Sequence, residues 1–339
     1  MAGARPTPDH ELSDREASGH AGRAEAATLA KLALGMTLFG SATPVSKVVT
    51  GAMPVFVGGA LRVAIGALVL MPAVWRHRQD IASIDRRGWI LIGLIALFGM
   101  FGFTAFMLYG MKMVSGVVGA VVMSTTPAVT AAASVLFLRE RAGWRILGGI
   151  ALAVAGVLVL QLGSADGGGT GGGGADGAAS GAGGQWLGAS LIFAAVCSEA
   201  AYTLLGKRAS SRIDPVLVAA LAALISLPAF VLLAVWQWPG FQPEQVSTGA
   251  WLAVLWYGAG TLALGSWLWY AGVARAPGAV AAGFMGLMPA SALILSYVLL
   301  GEPFRVIHLV GFAIVFASVL MIGWEHARMA RASDRKAGE

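Results

Sequence analysis

Charged residues are scarce in this chain of 339 residues. Asp, Glu, Lys and Arg make up 12% of the sequence, whereas a soluble domain holds roughly 25%. With 57% hydrophobic residues and a mean hydropathy of +0.76, this deficit predicts an integral membrane protein. The only cysteine is Cys197, inside an apolar run, which excludes an intrachain disulfide. The net charge of +6 is scattered between apolar runs, which argues against nucleic acid as a partner.

Signals of catalysis and of bound cofactors are also absent. The glycine-rich segment 163–185 lacks the strand and the Gly-Lys-Ser/Thr ending of a phosphate-binding loop. It is predicted to be a flexible external linker. No Cys/His/carboxylate spacing is typical of a metal site, and no Ser/His/Asp arrangement is visible. The sequence therefore predicts no enzyme, no metal and no cofactor.

Long apolar runs dominate what is present. A helix needs about 20 apolar residues to cross a bilayer core of ~30 Å. Ten such runs are separated mostly by short loops, which predicts an all-α integral membrane protein with ten transmembrane helices. The predicted spans are 28–49, 54–75, 89–111, 116–138, 143–162, 186–206, 215–236, 251–271, 279–300 and 306–324.

The distribution of Lys and Arg predicts how the chain is oriented. If the N-terminus is inside, nineteen Lys and Arg residues fall in cytoplasmic segments and two, Lys112 and Arg305, in external ones. This positive-inside bias predicts that both termini are cytoplasmic, in a bacterial-type inner (plasma) membrane. The polar segment 1–27 carries acids and does not resemble a secretory signal, so the first span is predicted to be an uncleaved anchor.

Two stretches of the sequence repeat each other, Leu136–Arg141 and Leu299–Phe304. A proline precedes the glutamate of each stretch by thirteen residues and a glycine follows it by nine. Five predicted spans separate corresponding points, so the copies insert with opposite orientation, which is typical of inverted-repeat transporters. The spaced residues are Pro127, Glu140 and Gly149 in the first copy, and Pro289, Glu302 and Gly311 in the second.

The repeat predicts how the chain is divided. Two inverted five-helix repeats cover 28–162 and 186–324, joined by the linker 163–185. Residues 1–27 form a polar cytoplasmic tail, and residues 325–339 form a basic cytoplasmic tail.

Several motifs resemble those of the drug/metabolite transporter superfamily, specifically its EamA-type exporters. Segment 39–47 is similar to the family pattern Trp-Gly-x-x-Phe-x-x-x-Lys, with Phe39 for Trp and Thr43 for Phe. Pro54 and Arg62 resemble its second-span motif, and the two glutamate blocks match its repeated Pro…Leu-Gly-Glu…Gly pattern, with Arg139 for the first Gly. The resemblance implies a secondary transporter that moves small metabolites outward, often amino acids or related amphipathic compounds.

Two charges lie deep inside predicted spans, where each costs at least ~2.5–3.5 kcal/mol without a partner or a water-lined cavity. Arg62 is predicted about 12 Å and Glu199 roughly 20 Å from the external side. Arg62 is a candidate for binding a substrate carboxylate; contact with backbone carbonyls or lipid headgroups is the alternative. Glu199 is a candidate for binding an amine or coupling protons to transport, and a satisfied interhelix hydrogen bond is the alternative.

Further candidates surround these charges or line neighbouring spans. Pro127 and Pro289 interrupt helical hydrogen bonding inside the fourth and ninth spans, and are candidates for gating or static packing kinks. Lys47 is predicted to snorkel toward the interface, with substrate binding as the alternative. Glu140 and Glu302 are predicted to mark helix ends at opposite membrane faces.

Tyr202 and Thr203, three and four residues after Glu199 on the same helix face, could hydrogen-bond either a substrate or Glu199. Tyr109, Trp267 and Tyr270 could line a pocket that stacks aromatic or apolar substrates, and packing or the interfacial belt is the alternative. Ser41 is a further candidate for substrate binding.

The combined prediction is a secondary active exporter of small metabolites that works by alternating access in the lipid bilayer. Amino acids or related amphipathic compounds, aromatic ones included, are the expected substrates, and protons are the candidate coupling ion. Uptake is the alternative within transporters. An integral-membrane receptor or enzyme is the competing class; an enzyme would show clustered His, Asp or Glu at one face, and a receptor would not require duplicated halves.

Overall fold

A computed structural model describes residues 8–138, 144–165, 182–209, 213–276 and 284–337, and every regular element in these ranges is helical. The α-helices are α1 (Pro8–Ala52), α2 (Val55–Arg76), α3 (Arg78–Ala82), α4 (Arg86–Ile95), α5 (Phe103–Met113), α6 (Gly116–Met123), α7 (Thr126–Leu138), α8 (Trp144–Ala165), α9 (Ala182–Ala209), α10 (Pro215–Gln237), α11 (Thr248–Leu255), α12 (Gly265–Val273), α13 (Leu287–Leu300) and α14 (Val306–Ala337). Glu140 and most of the predicted linker lie outside the described residues.

Helix length and composition make this a multi-pass membrane protein. Within the described ranges, seven helical stretches are long and apolar enough to cross a bilayer, and three further apolar helices are shorter. Large apolar side chains cover the outside of the bundle: Leu68, Leu232 and Val298 are at least 70% exposed. Such side chains are suited to contact with lipid. The prediction of an all-helical membrane protein is confirmed.

Polar residues start helices where the chain leaves a loop. The side chains of Asp85, Ser115, Asp214 and Ser247 each accept a hydrogen bond from a backbone N–H in the first turn of α4, α6, α10 and α11. These caps satisfy amides that have no partner within the helix.

Two helical stretches contain π-helix at corresponding places. The first π segment, Ala96–Gly102, joins α4 to α5, and the second, Trp256–Leu264, joins α11 to α12. The first ends 25 residues before Pro127 (102 to 127), and the second ends 25 residues before Pro289 (264 to 289). Segments of π-helix occur frequently at functional sites.

The fourth and ninth predicted spans are broken rather than kinked. A turn at Ser124–Thr125 separates α6 from α7, and a turn at 285–286 precedes α13. Pro127 and Pro289 therefore stand in the first turns of α7 and α13, where a missing N–H costs no helical hydrogen bond. The prolines were predicted to lie inside the helices, whereas the chain places each just after a break.

Helix packing relates the two parts of the chain by matching contacts. α1 packs against α13 and α12, and α9 packs against α7 and α5 in the same way. α2 packs on the second π segment, and α10 packs on the first. The contacts of α2 with α10 and of α8 with α14 complete this scheme. When each of these helices is replaced by its counterpart in the other half of the chain, the same pairs of helices are in contact.

Glycines allow the closest helix crossings. At Gly110 in α5, a Cβ atom would lie 2.9 Å from the carbonyl oxygen of Gly188 and 2.5 Å from the Ile192 side chain of α9. A Cβ atom at Gly93 in α4 would meet nothing within 4 Å. The α5–α9 crossing therefore requires glycine, in line with small-residue packing in membranes.

Gly110→Ala is expected to destabilise the protein by about 1–3 kcal/mol, because overpacking forces α5 away from α9. Thermal unfolding of the detergent-purified protein measures this as a lower midpoint. Gly93→Ala is the matched control and should leave the midpoint unchanged or raise it. Equal midpoints for the two variants would contradict the assigned crossing.

Candidate functional site

Arg62 lies in the interior of the bundle, between the two π segments. Its guanidinium donates from Nη1 to Thr104 Oγ1, next to the first π segment. The guanidinium carbon lies 4.2 Å from the ring centroid of Tyr257, in the second π segment, and 5.5 Å from that of Phe103. Arg62 is 7% exposed, and its Nε has no hydrogen-bond partner. The guanidinium is thus held by aromatic faces and one hydroxyl, with one donor unsatisfied.

Glu199 lies on α9 and faces the start of α7. Thr126 Oγ1 donates to its Oε2 at 3.0 Å, beside the turn that breaks the fourth predicted span. Thr203, one turn further along α9, donates to the Glu199 carbonyl rather than to its carboxylate. The Glu199 side chain is neither fully buried nor exposed. Its carboxylate therefore has a hydroxyl partner, and the exposed part of the residue does not make the carboxylate a surface group.

The two charges attract each other but do not form an ion pair. Electrostatic attraction links Arg62 to Glu199, yet no direct contact joins these two described residues. His77 Nδ1 lies 2.8 Å from Asp80 Oδ2, near a helix end and away from both charges. In the part of the chain that the structure describes, neither Arg62 nor Glu199 forms a salt bridge.

The remaining candidates occupy several positions around this region. Tyr202, one turn from Glu199, and Tyr270 join their hydroxyl groups at 3.0 Å. Ser41 accepts a hydrogen bond from Trp256 Nε1 at 2.9 Å. Tyr109 accepts one from Gln237 Nε2 at 3.4 Å. These contacts join different helices, so the polar groups connect the helices of the bundle.

Trp267 is separated from this set. It is 49% exposed, whereas Tyr270, three residues later, reaches inward to Tyr202. The exposure of Trp267 favours contact with lipid over contact with a substrate.

A second polar cluster joins α1, α5, α6 and the loop before α14. Lys47 Nζ donates to the carbonyl oxygens of Met111, at 2.9 Å, and Val114, at 2.6 Å. The Glu302 carboxylate accepts hydrogen bonds from the backbone N–H groups of Gly116 and Val117. These carbonyls lie at the end of α5 and hold the Lys47 ammonium group, while its predicted reach toward the interface stays a prediction. Glu302 follows a helix end as predicted, but its carboxylate contacts another helix.

Sequence reasoning missed Thr104, Thr126 and Tyr257, the direct neighbours of the two charges. Each comes from a helix other than the one that carries the charge, so no spacing along the chain indicates the contact. The only hint in the sequence was that Thr104, Thr126 and Tyr257 are polar residues within apolar runs. No cluster of three or more His, Cys, Asp or Glu residues in the described ranges could hold a metal ion.

A bundle of long apolar helices with two unpaired interior charges is typical of a multi-pass membrane transporter. The chain belongs to the EamA-like transporter family, whose model matches it twice, over residues 27–162 and 186–324. The resemblance predicted from the motifs is confirmed, and the protein is a transporter rather than an enzyme. A small-molecule substrate and a membrane location follow from this membership.

Related proteins support the assignment without naming a substrate. The chain is 30% identical over 293 residues to the uncharacterized transporter YetK of Bacillus subtilis (strain 168), covering 86% of this chain and 84% of YetK. It is 24% identical over 289 residues to the uncharacterized transporter YyaM of the same organism, covering 85% and 90%. A solved crystal structure with 19% identity superposes with a TM-score of 0.58 over 90% of this chain and 98% of that one, which supports the fold.

Proposed function

We propose that this protein is a secondary active exporter of small zwitterionic metabolites, amino acids or related amphipathic compounds, and that it works by alternating access. The observation that carries the proposal is the state of Arg62. Its guanidinium is buried, its Nε lacks a partner, and no carboxylate among the described residues pairs with it. An unpaired buried charge is costly, so a site of this kind favours a ligand of opposite charge.

The chemistry of the two charges defines what the substrate carries. A guanidinium presents a planar fork that matches a carboxylate, so Arg62 is assigned to the substrate carboxylate. Glu199 is assigned to the substrate ammonium group, and coupling of a transported proton is its alternative role. The groups facing Glu199 are Thr126 through a hydrogen bond, and Arg62 and Tyr202 through electrostatic interaction. A zwitterion offsets both buried charges at once, whereas a singly charged compound offsets one.

The architecture we propose is ten transmembrane helices in two inverted five-helix repeats, 28–162 and 186–324. The linker 163–185 is external, and the tails 1–27 and 325–339 are cytoplasmic, in a bacterial-type inner membrane. The matching helix contacts and the matching π segments support the repeat. The positive-inside distribution of Lys and Arg supports the orientation.

The breaks beside Pro127 and Pro289 are assigned to gating. Each lies at a matching place in its repeat, and the first break separates the eight-residue α6 from α7. The two π segments place irregular helical backbone beside Arg62, near the proposed site. Neighbouring helices shield this backbone from lipid.

Counterflow in proteoliposomes tests the proposal. Vesicles loaded with an unlabelled amino acid should accumulate the same radiolabelled compound without any energy source, and empty vesicles should not. Screening amino acids and amphipathic amines identifies the substrate, and an imposed proton gradient of either sign reports the coupling and the direction. Absence of exchange for every zwitterion tested, with exchange of singly charged compounds, would overturn the substrate class.

A further inference from the structure

Glu302 joins the two sequence repeats at the predicted external end of the bundle. It lies in the five-residue connection between α13 and α14, within 186–324, and its carboxylate binds α6, within 28–162. The N–H group of Val117 donates to Oε2 at 2.9 Å, and that of Gly116 donates to Oε1. These amides have no partner within α6, and the start of a helix carries partial positive charge, so a carboxylate is well matched to both.

Two glycines make this contact possible. Gly301 ends α13 with φ of 61°, a left-handed conformation that favours glycine and turns the chain at Glu302. Gly116 has no side chain, and a Cβ atom there would lie 3.1 Å from Glu302 Oε1 and closer still to the Leu300 side chain. The carboxylate reaches the amides only because both positions are glycine.

Lys47 holds the other side of the same junction. It donates to two carbonyls at the end of α5, two to five residues before Gly116, and its charge attracts Glu302. Residues 114–116 are therefore fixed by a cation from α1 at the end of α5 and by an anion from the second repeat at the start of α6. This arrangement ties the two repeats together at the predicted external end.

The element that Glu302 binds is a short helix that ends at a break in its span. α6 has eight residues, and the turn at Ser124–Thr125 separates it from α7. All eight residues of α6 are buried, and α6 packs on α9, α1 and α13. A tilt of this two-turn helix about the break therefore slides it past these neighbours once the Glu302 contact is lost. A hydrogen-bonded contact between repeats is also one that must break when that end of an alternating-access transporter opens.

We propose that Glu302 is the latch of an external gate: its carboxylate holds α6 against the second repeat in the closed state and releases it when the path opens outward. The inference rests on the proposed function, because a gate is needed only if the protein transports by alternating access. The contact itself is testable without a substrate.

The test is the accessibility of a cysteine placed below the latch. In a Cys197→Ser background, Thr43→Cys introduces a reporter that is 3% exposed on α1, one turn deeper than Lys47 and beside Gly119. A membrane-impermeant maleimide is added to intact cells and, separately, to inside-out vesicles. Glu302→Gln should raise labelling from the external side by about tenfold or more, because hydrogen bonds to a charged group are the strong ones.

Matched variants make the result specific. Gly116→Ala breaks the same contact from the other side and should raise external labelling as Glu302→Gln does, so the test survives failure of either variant to fold. Glu302→Asp, which keeps the charge, should recover part of the closed behaviour. Glu244→Gln, at an exposed position in another predicted external loop, should label like the parent protein.

Two outcomes would overturn the latch. One is unchanged external labelling in both Glu302→Gln and Gly116→Ala. The other is an equal rise from the external and cytoplasmic sides, which would indicate a loosened bundle. Counterflow on the same proteins separates the two proposals. Increased external labelling without exchange of any zwitterion would remove the proposed substrate class and keep the latch. Exchange of a zwitterion with unchanged labelling would keep the substrate class and remove the latch.

Discussion

Glu199→Gln is expected to reduce transport by about 10- to 100-fold, because a charge-assisted interaction worth ~1.5–3 kcal/mol is lost. Glutamine keeps the size of the side chain and can still accept the hydrogen bond from Thr126, so the fold should persist. It carries no charge for an ammonium group and cannot exchange a proton. Initial rates of counterflow and of gradient-driven export, measured across a pH series, provide the test.

The pH series separates the two roles assigned to Glu199. If the carboxylate couples protons, the variant loses gradient-driven transport and its rate becomes independent of pH, while exchange without a gradient survives. If the carboxylate binds the ammonium group, exchange itself falls. Glu244→Gln is the control and should behave as the parent protein. Unchanged rates at every pH in Glu199→Gln would remove this residue from the mechanism.

Arg62→Lys is expected to raise the substrate concentration for half-maximal transport by about tenfold or more. The reason is that an ammonium group cannot bind a carboxylate through two parallel hydrogen bonds as a guanidinium does. The positive charge remains, and so does the possibility of contact with Tyr257 and Thr104. The predicted loss is therefore in recognition rather than in folding. Concentration dependence of counterflow measures it, together with the thermal midpoint of the purified variant.

Arg78→Lys is a matched control for this change, because Arg78 is exposed at the start of α3. It should leave the half-maximal concentration unaltered. Normal transport by Arg62→Lys, at the same substrate concentrations, would show that Arg62 does not bind a carboxylate.

The positions of the helices could be predicted from the sequence, because burial in lipid requires uninterrupted apolar runs. The second span was predicted at 54–75 and α2 covers Val55–Arg76; the seventh was predicted at 215–236 and α10 covers Pro215–Gln237. The π segments could not be predicted. They keep the apolar composition of ordinary helix, and the packing of neighbouring helices decides the local hydrogen-bond register.

The burial of the two charged candidates could be predicted from the sequence, but their surroundings could not. The energetic cost of burial singles out Arg62 and Glu199 from one sequence. Tyr257 comes from α2's neighbour nearly two hundred residues away, and such tertiary contacts leave no local spacing. The same reason explains why the contact of Glu302 could not be predicted. Its place after a helix end is visible in the sequence, whereas its contact with α6 depends on how the repeats pack.

The most direct test of the central claim, that Arg62 and Glu199 together bind a zwitterion, is counterflow with a matched series of analogues of the identified substrate. The series contains the parent amino acid, its amide without the carboxylate, and its N-acetyl derivative without the ammonium group. The account predicts exchange of the parent compound alone, with Arg62→Lys and Glu199→Gln both impaired in that exchange. Equal exchange of all three compounds, by the parent protein and by both variants, would contradict it.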